Sequence, residues 1–141
     1  MDFGFTGVAT RDASESGAWL NLTRDDGKAL LDHKGEPVGI LLMGPDSDAY
    51  RALSWRHIRD RVAQASAGQG DTDYVTENMK VIEILVACTK DWRNVRTTEG
   101  KAIPFTADAA RALFVAYPGI RDQVDSFVAA RRNFTGASAK H

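Results

Sequence analysis

The single cysteine and the three histidines are the residues whose chemistry would be easiest to recognise. Cys88 would act as a nucleophile beside a base, but it follows residues 84–86 in an apolar register typical of a buried core thiol. His33, His57 and His141 fall in a predicted turn, a predicted helix and the tail, so their spacing closes no metal site. The sequence therefore predicts no catalytic residue, no metal site and no cofactor, and a protein that is not an enzyme.

Two pairs of alternating carboxylates, Asp46 with Asp48 and Asp71 with Asp73, raise the question of calcium. A calcium loop of the EF-hand type needs further oxygen ligands and a closing acidic residue, and neither segment supplies them. Short oxygen-bearing side chains also cap helices, which favours capping and loop solvation for both pairs. The sequence also has no glycine-rich phosphate loop, G-x-S-x-G elbow or His-Glu-x-x-His pair.

Charge is nearly balanced over the chain but uneven along it. Eighteen Lys and Arg against 19 Asp and Glu give a formal net charge of -1, so non-specific attraction to DNA or anionic lipid is not expected. Residues 111–141 hold five basic and two acidic side chains, and arginine dominates the basic ones. Because arginine is enriched at protein interfaces, an acidic protein partner is as good an interpretation as nucleic acid, and a solvated helix face stays open.

The strands that come first are predicted to form a β meander over residues 17–44. Residues 17–22 alternate along the chain in the two-residue period of a strand, and an Asp-Gly turn leads into a short partner strand at residues 29–31. The apolar run at residues 38–43 is the predicted third strand. The alternation places Trp19 on the sheet face opposite its apolar neighbours, where it either covers a second core layer or marks a binding surface.

About four helices are predicted to follow, over residues 46–134. The first begins near Asp46 and ends at about Ser66, the second spans about residues 74–91, the third opens at Thr106, and the fourth follows from about Ile120. The second has a wide apolar face, which predicts the most buried helix of the fold. Residues 67–73 are a predicted linker, and residues 92–105 a predicted irregular or hairpin-like connection.

These elements predict an α+β fold in a single domain over residues 17–134. Residues 1–16 show no sustained period and are predicted to be a flexible N-terminal arm, and residues 135–141 a frayed tail. The N-terminus lacks the basic start and apolar stretch of a secretory signal, and no apolar run approaches the roughly 20 residues that span a bilayer. A cytosolic protein without membrane contacts is therefore expected.

A series of short motifs follows in order through the C-terminal half. They are Asp91-Trp92, Gly100, Pro104-Phe105, Ile120-Arg121 with Gln123-Val124, and Arg132-Asn133-Phe134. This order resembles the tail assembly chaperones of long-tailed bacteriophages. The earlier block, with Trp19, residues 41–47 and Tyr50-Arg51, is similar to companion phage proteins, so the likeness covers about residues 17–134.

The resemblance implies a non-enzymatic protein of the host cytoplasm that binds the long tape-measure protein and helps recruit tail-tube subunits around it. Such a protein needs an apolar groove with a polar rim, and two short helices after Pro104 have aromatic residues placed to form one. The alternative, that these aromatic residues complete the core, predicts the same helical spacing. The candidate partner-binding residues are Trp55, Arg51, Phe105, Phe114, Tyr117, Arg121, Phe127, Arg131 and Phe134.

Other classes of protein stay open at this point. A structural virion component, such as a head–tail joining or tail protein, would use the flexible start and frayed end as arms that order on neighbouring subunits. A nucleic-acid-binding regulator would use the arginines of the first predicted helix, and it is the less favoured interpretation. Assembly into a homo-oligomer is compatible with each of these functions.

Overall fold

The structure is a computed structural model, and it describes residues 3–4, 8, 10–68 and 73–135. In that part of the chain, a three-stranded antiparallel sheet lies beside five α-helices, which confirms the α+β fold. The elements are α1 (Thr10–Ser16), β1 (Ala18–Asn21), β2 (Gly39–Leu42), α2 (Asp48–Ser66), α3 (Tyr74–Cys88), β3 (Thr89–Arg93), α4 (Ala107–Ala116), α5 (Pro118–Ala129) and a short 3-10 helix (Arg131–Asn133).

The sheet has the order β1-β2-β3, with the most apolar strand in the middle. Leu20 pairs with Ile40 and Ile40 with Trp92, and this alternate set of residues faces the helices. Trp19 lies on the opposite face, as the alternation predicts, and the guanidinium of Arg93 lies 4.5 Å from the centre of its ring. The inner face of the sheet is therefore the floor of the core.

The strands predicted at residues 17–22 and 38–43 are confirmed as β1 and β2, but the strand predicted at residues 29–31 is wrong. Residues 29–31 contribute only isolated bridges, whereas β3 comes from a segment of which the first part was assigned to a helix. α3 ends at Cys88, where the hydroxyl of Thr89 donates to the carbonyl of Leu85 at 2.8 Å. The apolar strand β2 needs a hydrogen-bonded partner along each edge, and this non-local pairing outweighs the helical spacing of residues 89–91.

The predicted helix starts agree with the structure at three places. Ser47, Asp73 and Thr106 are N-caps, and each accepts a hydrogen bond from the backbone N–H three residues further on. The fourth predicted helix begins two residues earlier than expected, because Pro118, which follows the end of α4, stands first in α5. Proline suits that position because the first helical N–H has no partner within the helix.

Part of the predicted flexible arm is helical. α1 is tied to the body of the protein where the N–H of Gly44 donates to the carbonyl of Ser14 at 3.0 Å, and Ala13 and Ser14 are buried beside Phe134. These contacts are tertiary, so a local pattern could not reveal them. Residues 1–2, 5–7 and 9 of the predicted arm, 69–72 of the linker and 136–141 of the tail lie outside the described residues.

The main core lies between the inner face of the sheet and helices α3, α4 and α5. As predicted, α3 buries more residues than any other described helix, among them Ile82, Leu85, Val86 and Cys88. Residues Ala110, Phe114, Val124 and Val128 of α4 and α5 complete this core. Among the described residues, no helix is long and apolar enough to cross a membrane.

Candidate functional site

The aromatic residues predicted to form a groove after Pro104 lie in separate places. Phe114 and Phe134 are fully buried, the former in the main core and the latter against α1. Phe105 is half-buried with its ring edge-on to that of Trp92, at 5.5 Å between centres, and Phe127 contacts Phe134 in the same way. Phe114 and Phe134 are therefore core residues. The four phenylalanines do not line one common groove.

Tyr117 is the exposed member of that set and lies at a different depression. This space of about 640 Å³ lies between the loops that follow β1 and β3 and the junction of α4 with α5, and its apolar lining includes Leu31, Val95 and Ile120. At its wall the carboxylate of Asp32 accepts the backbone N–H groups of residues 34 and 36 and the guanidinium of Arg96. These bonds hold the pKa of Asp32 below its ordinary value, the bond from residue 36 foremost, and they fix the turn.

The inner side of α2 packs mainly on α3. Leu53 is half-buried on this side, and the Nε2 atom of His57 lies 3.1 Å from a carboxylate oxygen of Glu77. No residue of α2 is fully buried, although the helix has 19 residues. The side of α2 that faces away from α3 therefore lies at the surface of the described structure.

The outer side of α2 carries three large apolar residues. Trp55, Ile58 and Val62 are 65%, 54% and 60% exposed, and at about 100° per residue they lie roughly 100° to 160° around the helix from His57. Together with Arg51 they follow the four-three-four spacing of a helix-binding seam. We call residues 51, 55, 58 and 62 the outer stripe. Large apolar side chains grouped on one exposed helix face are the usual anchors of protein interfaces.

A concave, arginine-lined space of about 640 Å³ lies beside the first turns of α2. We call this space the arginine pocket; its lining residues are Val8, Thr10, Arg11, Asp46, Arg51, Arg131, Arg132 and Thr135. Four arginines and one aspartate thus contribute its charges. Residues from the start of the described chain meet residues from its end here, although the two segments lie more than one hundred residues apart in the sequence.

Asp46 neutralises only part of that charge. Its carboxylate accepts from Nε and Nη2 of Arg131, at 2.9 and 2.8 Å, and from the hydroxyl of Thr10. These bonds, first that of Arg131, hold the pKa of Asp46 below its ordinary value, so the carboxylate is charged near neutral pH. Arg51 and Arg132 have no ion pair or hydrogen-bonding side-chain partner among the described residues.

The outer stripe and the arginine pocket are continuous through Arg51. A shallow depression on α2 is lined by Arg51, Trp55 and Ile58, among others, and Arg51 also lines the arginine pocket. A molecule bound along the outer stripe would therefore contact apolar side chains over most of its length and positively charged side chains at the N-terminal end of α2. Of the nine residues predicted to bind a partner, Trp55, Arg51 and Arg131 are brought together here.

The remaining candidates have other roles in the structure. Arg121 is mostly buried and pairs with Asp122 at 2.7 Å.

The arginines of α2, which a nucleic-acid-binding regulator would use, do not form one basic face. Arg56 and Arg61 lie about 140° and 80° from Arg51 in opposite directions around the helix. Cys88 is fully buried, and burial raises the pKa of its thiol to about 12, which keeps it protonated and unreactive near neutral pH.

The partner-binding residues predicted from the sequence do not include Ile58, Val62 and Arg132. Apolar residues occur on both sides of α2 and blur its periodicity, so the spacing alone did not set Ile58 and Val62 apart from the residues that face the core. The four-three-four spacing that includes Trp55 was the signal that could have separated them. Arg132 belongs to the Arg132-Asn133-Phe134 motif, but only the tertiary structure brings it to this site.

Comparison with known proteins adds no relative: no family model, curated protein or solved structure matches this chain. An aromatic-anchored helix face beside a cationic pocket has the chemistry of a surface that binds another protein.

Proposed function

We propose that this protein is a non-enzymatic tail assembly chaperone of a long-tailed bacteriophage, which binds the tape-measure protein in the host cytoplasm and assists assembly of the tail tube. The observation that carries the proposal is the outer stripe, three large apolar side chains left exposed on α2. The resemblance of residues 17–134 to such chaperones supplies the biological setting. The groove expected after Pro104 is replaced in this proposal by the outer stripe.

The stripe suits a client that is helical and poorly soluble by itself. Helices dock side by side when apolar residues recur every three or four positions on both partners. Covering an exposed apolar face of the client removes the surface through which it would aggregate. Neither step needs a catalytic group, a metal or a cofactor.

Co-expression tests the proposal directly. The tape-measure protein of the phage that encodes this chain is produced with and without the chain, and its amount in the soluble fraction is measured. We expect a severalfold increase in soluble tape-measure protein when the chain is present. Equal solubility in the two cultures would contradict the proposal.

A structural virion component would also use an exposed apolar face, since permanent neighbours cover such surfaces. Mass spectrometry of purified particles separates this function from that of a chaperone. We expect the chain to be absent from mature virions or far below the amount of the tail-tube protein. A stoichiometric amount in the particle would overturn the chaperone proposal.

A further inference from the structure

The outer stripe and the arginine pocket together specify the chemistry of the partner, an inference that rests on the proposed function and deepens it. We infer that this surface docks one amphipathic helix that bears a cluster of carboxylates at one end. Its apolar side would lie on Trp55, Ile58 and Val62, and its carboxylates would lie over the arginine pocket.

The charge of the pocket selects an anionic group. Of the four arginines that line the pocket, Arg131 bonds to Asp46 and Arg11 lies 4.0 Å from a carboxylate oxygen of Asp48. The side chains of Arg51 and Arg132 form no hydrogen bond or ion pair among the residues that the structure describes, although Arg51 lies near enough to Asp46 to act on its charge. A guanidinium binds carboxylate oxygens in a planar, two-point geometry, so two carboxylates of a partner would complete the pocket.

The position of the pocket argues for a helix instead of a separate small anion. Arg51 belongs to both depressions, so the cationic end and the apolar stripe form one continuous surface along α2. From Arg51 to Val62 the stripe spans twelve residues, whose eleven helical rises cover about 16 Å. A partner of about three helical turns would cover it and still reach the pocket.

A second copy of this chain fits the surface less well. Besides Arg51, α2 carries Arg56, Arg59 and Arg61 against Asp48 and Asp60. Pairing of two such helices through the outer stripe would bring like charges together, and it would leave both arginine pockets without carboxylates. Charge complementarity therefore favours a different, acidic partner.

The test uses two designed helical peptides of about 20 residues that share leucines at three- and four-residue spacing. One carries glutamates in its first turn and the other carries glutamines at the same positions. We expect the glutamate peptide to bind the full-length protein about tenfold more tightly at low salt, with the advantage shrinking as ionic strength rises. Equal affinity of the two peptides would overturn the inference.

Matched variants locate the effect. Arg51→Gln and Arg132→Gln are expected to remove most of the preference for glutamate, whereas Arg61→Gln, which makes the same charge change on α2 away from the pocket, should retain it. Circular dichroism confirms that each variant is folded. Equal loss of the preference in all three variants would show a diffuse charge effect and would overturn the inference.

Two further outcomes would also overturn it. One is tighter binding of a duplex DNA oligonucleotide than of the glutamate peptide under the same salt. The other is a dimer by light scattering that the Trp55→Ser change dissolves. The solubility of co-expressed tape-measure protein is measured separately, so a failed peptide preference alone leaves the proposed function standing.

Discussion

At the scale of single residues, Asp46 links the start of α2 to the C-terminal segment by an ion pair with Arg131. Because the folded state lowers the pKa of Asp46 from its ordinary value of 3.8, the ionised carboxylate stabilises the protein above that pH. This stabilisation is lost as the pH falls through the lowered pKa.

We predict that Asp46→Asn lowers the free energy of unfolding by about 1 kcal/mol at pH 7, because Arg131 is largely exposed and solvent weakens the pair. The difference from the wild type should begin to shrink below about pH 4, where Asp46 of the unfolded chain becomes protonated, and it is lost as the pH falls through the lowered pKa of the folded state. Urea denaturation at pH 7 and at about pH 3 measures both values. Asp60→Asn, at an exposed residue of α2 that forms no ion pair among the described residues, is the control and should change little. A loss of equal size at both pH values would contradict the prediction.

Gly44 is a second residue with a specific structural requirement. A Cβ atom at this position would lie 2.5 Å from both the Phe134 ring and the Ser14 hydroxyl oxygen. We predict that Gly44→Ala destabilises the protein by about 1 to 3 kcal/mol, because both neighbours are buried and have little room to move. Thermal denaturation measures the effect.

Gly119→Ala is the matched control, since a Cβ there would meet only Asp25 at 3.6 Å. Gly119 lies in the first turn of α5, where alanine is also the better helix former, so this variant should be as stable as the wild type or slightly more stable. If Gly44→Ala were equally harmless, Phe134 could not be packed on Gly44 as described.

At the scale of secondary-structure elements, α2 and α3 pack on each other but differ in what they contribute: α3 stabilises the core, and α2 presents the proposed binding surface. α3 contributes Ile82, Leu85 and Val86 to the core, whereas α2 buries no residue completely. We predict that Leu85→Ala lowers the free energy of unfolding by about 2 to 5 kcal/mol. Trp55→Ser, in contrast, should change it by no more than about 0.5 kcal/mol, since the side chain is exposed. Chemical denaturation of both variants would contradict this division if Trp55→Ser were as destabilising as Leu85→Ala.

The elements also show which features a sequence can specify by itself. Helix starts at Ser47, Asp73 and Thr106 were predictable because a cap acts on the three residues that follow it. β3 and α1 were not predictable, because each is stabilised by distant parts of the chain. β3 pairs with β2 about fifty residues earlier, and α1 packs on Phe134.

At the scale of the whole molecule, the candidate site was only partly predictable for the same reason. Trp55 and Arg51 stood out by residue type and by their place on one helix. The arginine pocket was not visible in the sequence, since it joins Arg11 and Asp46 to Arg132 through the packing of both ends of the described chain. Sequence spacing identifies faces of helices, whereas a concave site made by several elements requires the assembled fold.

The most direct test of the proposed function is solubility of the tape-measure protein co-expressed with single variants of this chain. Trp55→Ser removes the central anchor of the outer stripe, and Val115→Ser changes a comparably exposed apolar residue on α4. We predict that Trp55→Ser reduces soluble tape-measure protein to the level seen without the chain, whereas Val115→Ser leaves it at the wild-type level. Full solubility with folded Trp55→Ser would contradict the assignment of the outer stripe as the binding surface.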